Sequence, residues 1–355
     1  VSLARALEGL RQESASLDHI QAWPELSFRV LDQADVLGWV IPGEYGGGGI
    51  SGRVLVEGYL HLSRACLVTA FVLTQRNGAC QRFAASENEE LKQDLLPGLT
   101  GSEVFATVGV SHLTTSRQHL DRPAVHAEPV DGGYRLSGTV PWVTGAERAD
   151  WILTGGTCPD GRQVLLSLPG SAPGVTTQAA VPLLALDGSQ TVSVELEDVF
   201  IEDRLLVAGP CEAIMHSGGR GGTGSLGTSA LALGAAAGSL DRMGEEVQRR
   251  PELAEAYDPL CAELEGVVAD TLAASSDQAE SDDPAFSNES IRHRANSLVL
   301  RCSQAYLAAA KGAGFTAGHP AARAVREAMF FLVWSCPQAV VAAQLREFAC
   351  GVQFD

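Results

Sequence analysis

The spacing of hydrophobic positions predicts helices over the first hundred residues. In "LARALEGLRQ", Leu3, Leu7 and Leu10 fall on one helical face. The stretch "SFRVLDQADVLGWV" repeats this spacing and stops at "IPGEYGGGG", where Pro42 and four glycines force a loop. Two more helices are predicted in "VLVEGYLHLSRACLVTAFVLTQ" and "ENEELKQDLLPGL", with Asn77-Gly78 as the break between them. Residues 1–100 are therefore predicted to form an α-helical domain.

The pattern changes to short alternating runs near Gly101. "EVFATVGVSH", "AVHAEPV", "GYRLSGTV", "ADWILTGG", "RQVLLSL" and "QTVSVELEDVFI" are rich in β-branched residues. Turn signals such as Asp131-Gly132-Gly133 separate them. Short strands at this spacing are typical of an antiparallel sandwich or barrel, so residues 101–208 are predicted as a β domain.

Helical periodicity returns beyond the β region, over residues 209–355. "LGTSALALGAAAGSLDRMGEEVQ" is rich in alanine and glycine, so a neighbouring helix can approach it closely. The last two helices are predicted in "HPAARAVREAMFFLVW" and "PQAVVAAQLREFACG". The chain order is helices, a β domain, then helices, which is an α+β multidomain architecture.

Composition and charge exclude several classes of protein. The 355 residues carry a formal net charge of −18, which repels phosphate backbones and anionic lipid, so nucleic-acid and membrane roles are disfavoured. The eight cysteines form no C-x-x-C pair, so we expect reduced thiols and no metal site. No apolar run approaches the length of a membrane span. These features predict a cytoplasmic protein.

Five motifs in order carry a resemblance to a known family. They are "VIPGEYGGGG", "LKQDLLPGLTGSEVFATVGVS", "GYRLSGTVPWVTGAERADWILTGG", "VELEDVFIEDRLLV" and "KGAGFTAGHPAARAVREA". Together they resemble the acyl-CoA dehydrogenase superfamily of flavoproteins. The resemblance implies an α-helical N-terminal domain, a middle β-barrel and a C-terminal four-helix bundle, with FAD between the barrel and the bundle.

The resemblance also implies a cofactor site. The W-x-T pair Trp142 and Thr144 corresponds to residues beside the isoalloxazine, where a flat apolar ring needs a stacking surface and a few placed donors. "GVSHLTTS" lies where the family has a loop that offers donors to the flavin and to the substrate. The expected cofactor-binding residues are Ser111, Thr114, Trp142, Thr144 and Gly312, and the expected substrate-binding residues are Ser116, Trp334 and Ser335.

The family's catalytic glutamate has no counterpart at either of its two known positions. A base is needed within hydrogen-bond reach of the carbon that loses its α-proton. By the motifs, these positions hold Ser335 and Gly227, and neither side chain is an acid. The remaining candidates are His112, His216, His319 and Glu327, of which Glu327 is expected to form a structural ion pair and His319 to cap a helix.

A competing motif points to a dinucleotide loop. Gly222, Gly224 and Gly227 form G-x-G-x-x-G before an alanine-rich helix, and Arg220 lies within the same glycine-rich stretch. The β-α-β alternation that a dinucleotide fold requires is absent on both sides, so this interpretation is disfavoured.

The sequence thus predicts an FAD-dependent oxidoreductase that acts on a small molecule. The resemblance implies oxidation of an acyl thioester, in which the acyl group is attached to CoA or to a carrier protein. Two alternatives remain open: a flavin monooxygenase or oxidase on a non-CoA substrate, and a flavin-binding or interaction protein without turnover. A homodimer or homotetramer is expected, because family members complete the cofactor site across a bundle interface.

Overall fold

Eleven helices lie in the part of the chain that the computed structural model describes, which is residues 1–19, 21–114, 122–216, 225–276 and 283–349. Their bounds are α1 Leu3–Glu13, α2 Glu25–Asp32, α3 Gly52–Ala65, α4 Leu67–Ala84, α5 Glu89–Leu95, α6 Ser111–Thr114, α7 Leu226–Arg249, α8 Ala254–Ala274, α9 Asn288–Gly314, α10 Pro320–Phe330 and α11 Gln338–Ala349. Across the described ranges, no helix combines the length and the apolar character needed to cross a bilayer.

Eight strands lie between the two helical regions of the described chain. Their bounds are β1 Ala106–Val108, β2 Val125–Val130, β3 Gly133–Val143, β4 Trp151–Thr157, β5 Gln163–Pro169, β6 Val175–Thr177, β7 Val192–Glu202 and β8 Leu206–Cys211. The order of helices, strands and helices agrees with the predicted fold class. The last strand ends three residues beyond the predicted boundary at 208, and the division into three domains stays a prediction.

The strands form one sheet in the order β6-β7-β3-β2-β4-β5-β8, and β1 pairs with β4. The prediction of an antiparallel β domain needs one correction, because β1 and β2 pair with β4 in parallel. A parallel pair needs a long connection, and the segment from β1 to β4 contains α6 and the β2–β3 hairpin. In the described chain, β6 and β8 are the two edge strands of this order and do not pair with each other, so strand pairing does not close the sheet into a barrel.

Close contact between α3 and α7 joins the N-terminal and C-terminal helices into one core. A Cβ added at Gly234 would lie 2.4 Å from the Leu60 carbonyl oxygen. The Ser63 hydroxyl donates to the Leu231 carbonyl at 2.6 Å. Residues of α3, α4, α7, α9 and α10 share the same buried cluster. The alanine- and glycine-rich sequence of α7 therefore permits the close approach that was predicted.

The single helix predicted over "VLVEGYLHLSRACLVTAFVLTQ" is two helices, α3 and α4, with a break at Cys66, and the Asn77-Gly78 pair does not end α4 as predicted. Cys66 has an extended backbone with φ of −157°. Asn77 and Gly78 lie inside α4, and tertiary contacts account for both residues. A Cβ at Gly78 would lie 3.4 Å from Val108 of β1, and the buried Asn77 amide donates to the Tyr59 hydroxyl at 2.9 Å. The prediction was wrong because tertiary packing inside α4, and not a turn, requires an asparagine and a glycine at these positions.

Helix α10 ends at Phe330, four residues before the predicted end at Trp334. Phe331, Leu332 and Val333 continue with backbone bonds to the third residue before them. Side chains of α9 then bind the released carbonyls, since Asn296 donates to Phe331 and Arg292 donates to Trp334, both at 2.9 Å. Residues 331–337 thus form an irregular link whose carbonyl groups accept hydrogen bonds from side chains of α9.

Candidate functional site

A cavity of about 720 Å³ lies where the sheet meets both sets of helices. Its volume falls in the range of roughly 300–1,000 Å³ that is typical of small-molecule sites. Residues from α3, α4, β1, β3, the start of α7 and the end of α10 line it. Six of the predicted site residues meet in this one cavity: Ser111, Thr114, Trp142, Thr144, Trp334 and Ser335.

Trp142 dominates the wall of the cavity that the sheet provides. The pairing of β3 with β7 shifts register between Val140 and Val143, so a bulge lies at this tryptophan. Trp142 has φ of +56°, and 58% of its surface is exposed. A bulge redirects a side chain, and positive φ in a bulky residue is a strain that concentrates at ligand sites. The strand thus turns a large aromatic face into the cavity.

Three hydroxyl-bearing residues line the same cavity as this indole. The Ser111 hydroxyl donates to the Pro141 carbonyl at 3.2 Å, and the Thr114 hydroxyl donates to the Ser111 carbonyl at 3.2 Å. The oxygen of Thr144 lies 2.9 Å from the Thr191 hydroxyl oxygen. We call Ser111, Thr114, Trp142 and Thr144 the sheet wall. It combines one aromatic surface with hydroxyls whose positions are fixed by neighbouring groups.

Another part of the lining is aromatic and belongs to the helices and to the link after α10. Trp334 stacks on Phe330 with ring centres 5.1 Å apart and planes 13° apart, and both pack edge-on against Phe71. The buried guanidinium of Arg292 lies 5.7 Å from the Trp334 ring. We call Tyr59, Gly227, Phe330, Trp334 and Ser335 the helix wall. Trp334 and Ser335 lie on the link after α10, so the prediction that a helix presents them was wrong.

No aspartate or glutamate is among the described residues that line the cavity. Ser335 and Gly227, the two positions that the resemblance predicts for the base, both lie on the helix wall. The charged lining residues are Arg82 and Arg326. Burial lowers the pKa of Arg82, whereas the hydrogen bond to Asp18 raises that of Arg326. The described lining therefore offers cations and hydroxyls, with no carboxylate to accept a proton.

Glu327 and His319 have the structural roles that were expected of them. Glu327 lies 3.7 Å from Arg323 and faces a separate small cavity of about 50 Å³ between α3, α7 and α10. Burial raises the pKa of its carboxyl group. The Nδ1 atom of His319 accepts a hydrogen bond from the Ala321 amide and caps α10. Neither side chain lines the large cavity.

The other candidates within the described residues are not among the lining residues of the cavity. His112 is buried, with Nε2 3.0 Å from the Gly155 carbonyl oxygen, and it is not a lining residue. Gly312 lies exposed near the end of α9, away from the lining, so its role stays a prediction. His216 ends a short helix that begins at Ile214. Ser116, Arg220, Gly222 and Gly224 lie outside the described residues.

Sequence reasoning missed several lining residues. No motif or spacing in the sequence distinguishes Tyr59 of α3 or Arg82 of α4 from its neighbours. Residues 183–186 lie between β6 and β7 and bear no motif, yet they line the cavity, and the Leu184 carbonyl accepts a hydrogen bond from Arg326 at 3.2 Å. These residues can be identified as lining residues only from the tertiary structure, which brings distant segments of the chain together. Among the described residues, no three His, Cys, Asp or Glu side chains are grouped as a metal site requires.

Comparison with known proteins supports the resemblance seen in the motifs. The family model described as "Acyl-CoA dehydrogenase, N-terminal domain" matches residues 6–103. A probable acyl-CoA dehydrogenase of Bacillus subtilis, YngJ, is 25% identical over 242 residues, covering 63% of this chain and 60% of the relative. The oxygenase component of an FADH(2)-dependent resorcinol hydroxylase from a Rhizobium strain is 29% identical over 223 residues, covering 62% and 49%.

Solved structures extend the likeness over nearly the whole chain. The butyryl-CoA dehydrogenase structure from Megasphaera elsdenii superposes with a TM-score of 0.82 at 17% identity, covering 96% of this chain and 97% of that one. The chain therefore has the acyl-CoA dehydrogenase fold, and its N-terminal helical region is similar to the N-terminal domain of that family. The recognition of this superfamily from five motifs is confirmed. The curated matches span only 60% and 49% of those two relatives' own lengths.

Proposed function

We propose that this chain is an FAD-dependent oxidoreductase that binds the isoalloxazine against Trp142. The observation that carries the proposal is a tryptophan with 58% of its surface exposed on the wall of a cavity of about 720 Å³. An exposed indole beside placed hydroxyls fits a flat ring with one polar edge. Ser111, Thr114 and Thr144 would bind that edge. Flavin-dependent proteins among the relatives and the matched superfamily support the choice of cofactor.

We further propose that the reaction uses no carboxylate base, which favours oxygen transfer over dehydrogenation. When bound, reduced flavin would supply the two electrons and two protons with which O₂ yields one hydroxylated substrate and one water, leaving oxidised flavin. This reaction removes no α-proton from a thioester. The helix wall would place a planar substrate between Phe330 and the cofactor, and its aromatic rings would exclude water. The resorcinol hydroxylase relative, with the highest identity of the two compared, supports this direction.

Acyl-thioester dehydrogenation is the second candidate, because the matched family model and the Bacillus relative point to it. It requires a base in the cavity, and the described lining contains none with a carboxylate. The substrate for this reaction would be an acyl group on CoA or on a carrier protein.

One set of measurements separates these reactions. The purified protein is saturated with FAD, freed of oxygen and mixed with a series of acyl-CoA thioesters, and the flavin absorbance is followed. We expect no bleaching. After chemical reduction, oxygen is admitted with and without phenolic substrates, and a hydroxylated product is expected. Rapid bleaching by any acyl-CoA would overturn the oxygenase proposal, and failure to take up FAD would overturn both reactions.

The Ser335→Glu variant tests whether the lack of a base at this position is the reason why acyl-CoA is not oxidised. A carboxylate at this position would stand on the helix wall, where proton abstraction by a placed base contributes about a hundredfold or more to rate. We expect slow bleaching by acyl-CoA in S335E and none in the parent protein. Ser335→Gln is the matched control, since it adds the same bulk without a base. Equal behaviour of the two variants would contradict the positional argument.

We also propose a homodimer or homotetramer, as the resemblance implies. Phe315, with 83% of its surface exposed at the end of α9, is the kind of apolar side chain that a subunit interface covers. Light scattering of the purified protein gives the mass, and a monomer at micromolar concentration would contradict the proposal.

A further inference from the structure

We propose that Tyr59, held in place by Asn77, is the hydrogen-bond donor that binds an acceptor oxygen of the substrate, such as a carbonyl or phenolic oxygen. This assignment deepens the proposed function and rests on it for the presence of a substrate beside the flavin. It rests on three features of the structure: the position of Tyr59, the direction of its hydrogen bond and the apolar character of its surroundings.

Tyr59 is a cavity residue although it lies in the helical core. It belongs to α3, only 5% of its surface is exposed, and it lines the cavity together with Thr74 and Gln75 of α4. A Cβ added at Gly227 would lie 3.4 Å from two atoms of its ring. The Tyr59 side chain therefore fills the space next to the start of α7, on the same wall as Ser335.

The hydrogen bond to Asn77 leaves the hydroxyl hydrogen of Tyr59 uncommitted. The Asn77 amide nitrogen donates to the Tyr59 oxygen at 2.9 Å. A phenol oxygen that accepts one bond can still donate its own hydrogen. Within the described chain, that hydrogen has no acceptor. Asn77 is fully buried, so the bond fixes the phenol in one position.

The surroundings keep this group a donor and strengthen its interaction. Burial raises the pKa of Tyr59, so the phenol stays protonated through the neutral range. Phe71 and Phe330 line the same cavity, and a hydrogen bond in such apolar surroundings is stronger than in water. A site built around a fixed donor discriminates against ligands that lack the matching oxygen.

The test compares probe molecules that differ only in one oxygen. The pairs are para-chlorophenol with para-chlorotoluene, and acetophenone with α-methylstyrene. Their binding to the full chain, saturated with FAD, is measured by calorimetry at neutral pH. We expect each oxygen-bearing probe to bind roughly three- to tenfold more tightly than its partner. Tyr59→Phe should abolish this preference, whereas Tyr134→Phe, a buried tyrosine in the sheet, should preserve it.

A second variant guards against a folding defect. Tyr59→Phe leaves the Asn77 amide buried without its partner, so the double variant Tyr59→Phe/Asn77→Leu removes both polar groups. Thermal unfolding identifies which variants fold, and the preference should be lost in each that does. A preference that survives in a folded Tyr59 variant, or that is absent from the parent protein for both pairs, overturns the assignment.

The flavin content, read from the absorbance spectrum, separates this outcome from failure of the proposed function. A parent protein that takes up no FAD overturns the oxidoreductase proposal. Calorimetry needs no flavin signal, so it still tests the hydrogen bond in that case. A flavin-loaded protein without the oxygen preference overturns only the role of Tyr59.

Discussion

The two walls of the cavity differ in their secondary structure and in how far their residues match those expected of the family. The sheet wall uses the regular pairing of β3 with β7, and a single bulge turns Trp142 outward. The helix wall ends in an irregular link whose carbonyls are bound by buried side chains of α9. The sheet wall has the residue types expected of a flavin site, and the helix wall lacks the expected acid. In the proposed function, binding of the cofactor and the reaction at it therefore depend on separate parts of the fold.

The close packing of α3 on α7 offers the strongest way to break the helix wall alone. Gly234→Ala places a Cβ within 2.4 Å of the Leu60 carbonyl oxygen, so the two helices must move apart. We expect the free energy of unfolding to fall by about 3 kcal/mol, as in other overpacked cores. Urea unfolding measures the change.

Gly266→Ala on α8 is the matched control for this substitution. A Cβ at Gly266 would meet no atom within 4 Å. This variant should be more stable by about 0.5–1 kcal/mol because alanine favours helices. Equal effects of the two substitutions would contradict the account of α3–α7 packing.

Removing the indole should break the sheet wall without unfolding the protein. Trp142→Ala deletes the proposed stacking surface, and we expect FAD to bind with an affinity reduced by about 2 kcal/mol, roughly thirtyfold. The melting temperature of the flavin-free protein should hardly change, since most of the indole is exposed. Flavin titration followed by fluorescence measures the affinity.

Phe200→Ala provides the control for Trp142→Ala. Phe200 is an exposed aromatic of β7 that is not a lining residue of the cavity and contacts Arg135. Unchanged FAD binding is expected. If Trp142→Ala also bound FAD normally, the sheet wall would not be the cofactor surface.

The smallest expected effect concerns Glu327, a carboxylate of α10 that does not line the large cavity. Glu327→Gln should leave flavin binding and turnover unchanged because Glu327 faces the separate small cavity. Burial raises its pKa above the usual 4.5, so the folded protein disfavours the charged form. The protonated carboxyl group of Glu327 therefore contributes to the free energy of unfolding in full below the usual pKa. This contribution is lost as the pH rises through the raised pKa.

The pH dependence of unfolding checks this sign. Glu327→Gln should be slightly more stable than the parent near neutral pH, by about 1 kcal/mol, because burial of the charged carboxylate costs more than its attraction to Arg323 returns. The difference should shrink as the pH falls below the ordinary glutamate pKa. A loss of turnover in Glu327→Gln would instead identify Glu327 as a functional acid.

Much of the sheet wall could be predicted from sequence because its residues are close together in the chain. Trp142 and Thr144 are two positions apart, and Ser111 and Thr114 share one loop-like motif. The helix wall could be predicted only in part. Ser335 was found by its distance from an arginine motif, but Tyr59 lies more than two hundred residues away and resembles an ordinary core residue.

The amino-acid sequence by itself determined the order of helices and strands, the recognition of the superfamily and the absence of an acid at both base positions. These features depend on periodicity and on local motifs. The tertiary structure decided where α3 breaks, where α10 ends, and which side chains meet in the cavity. Each of these depends on contacts between distant segments, such as Asn77 with Tyr59 and Arg292 with Trp334. The energies of such contacts cannot be inferred from the local sequence pattern.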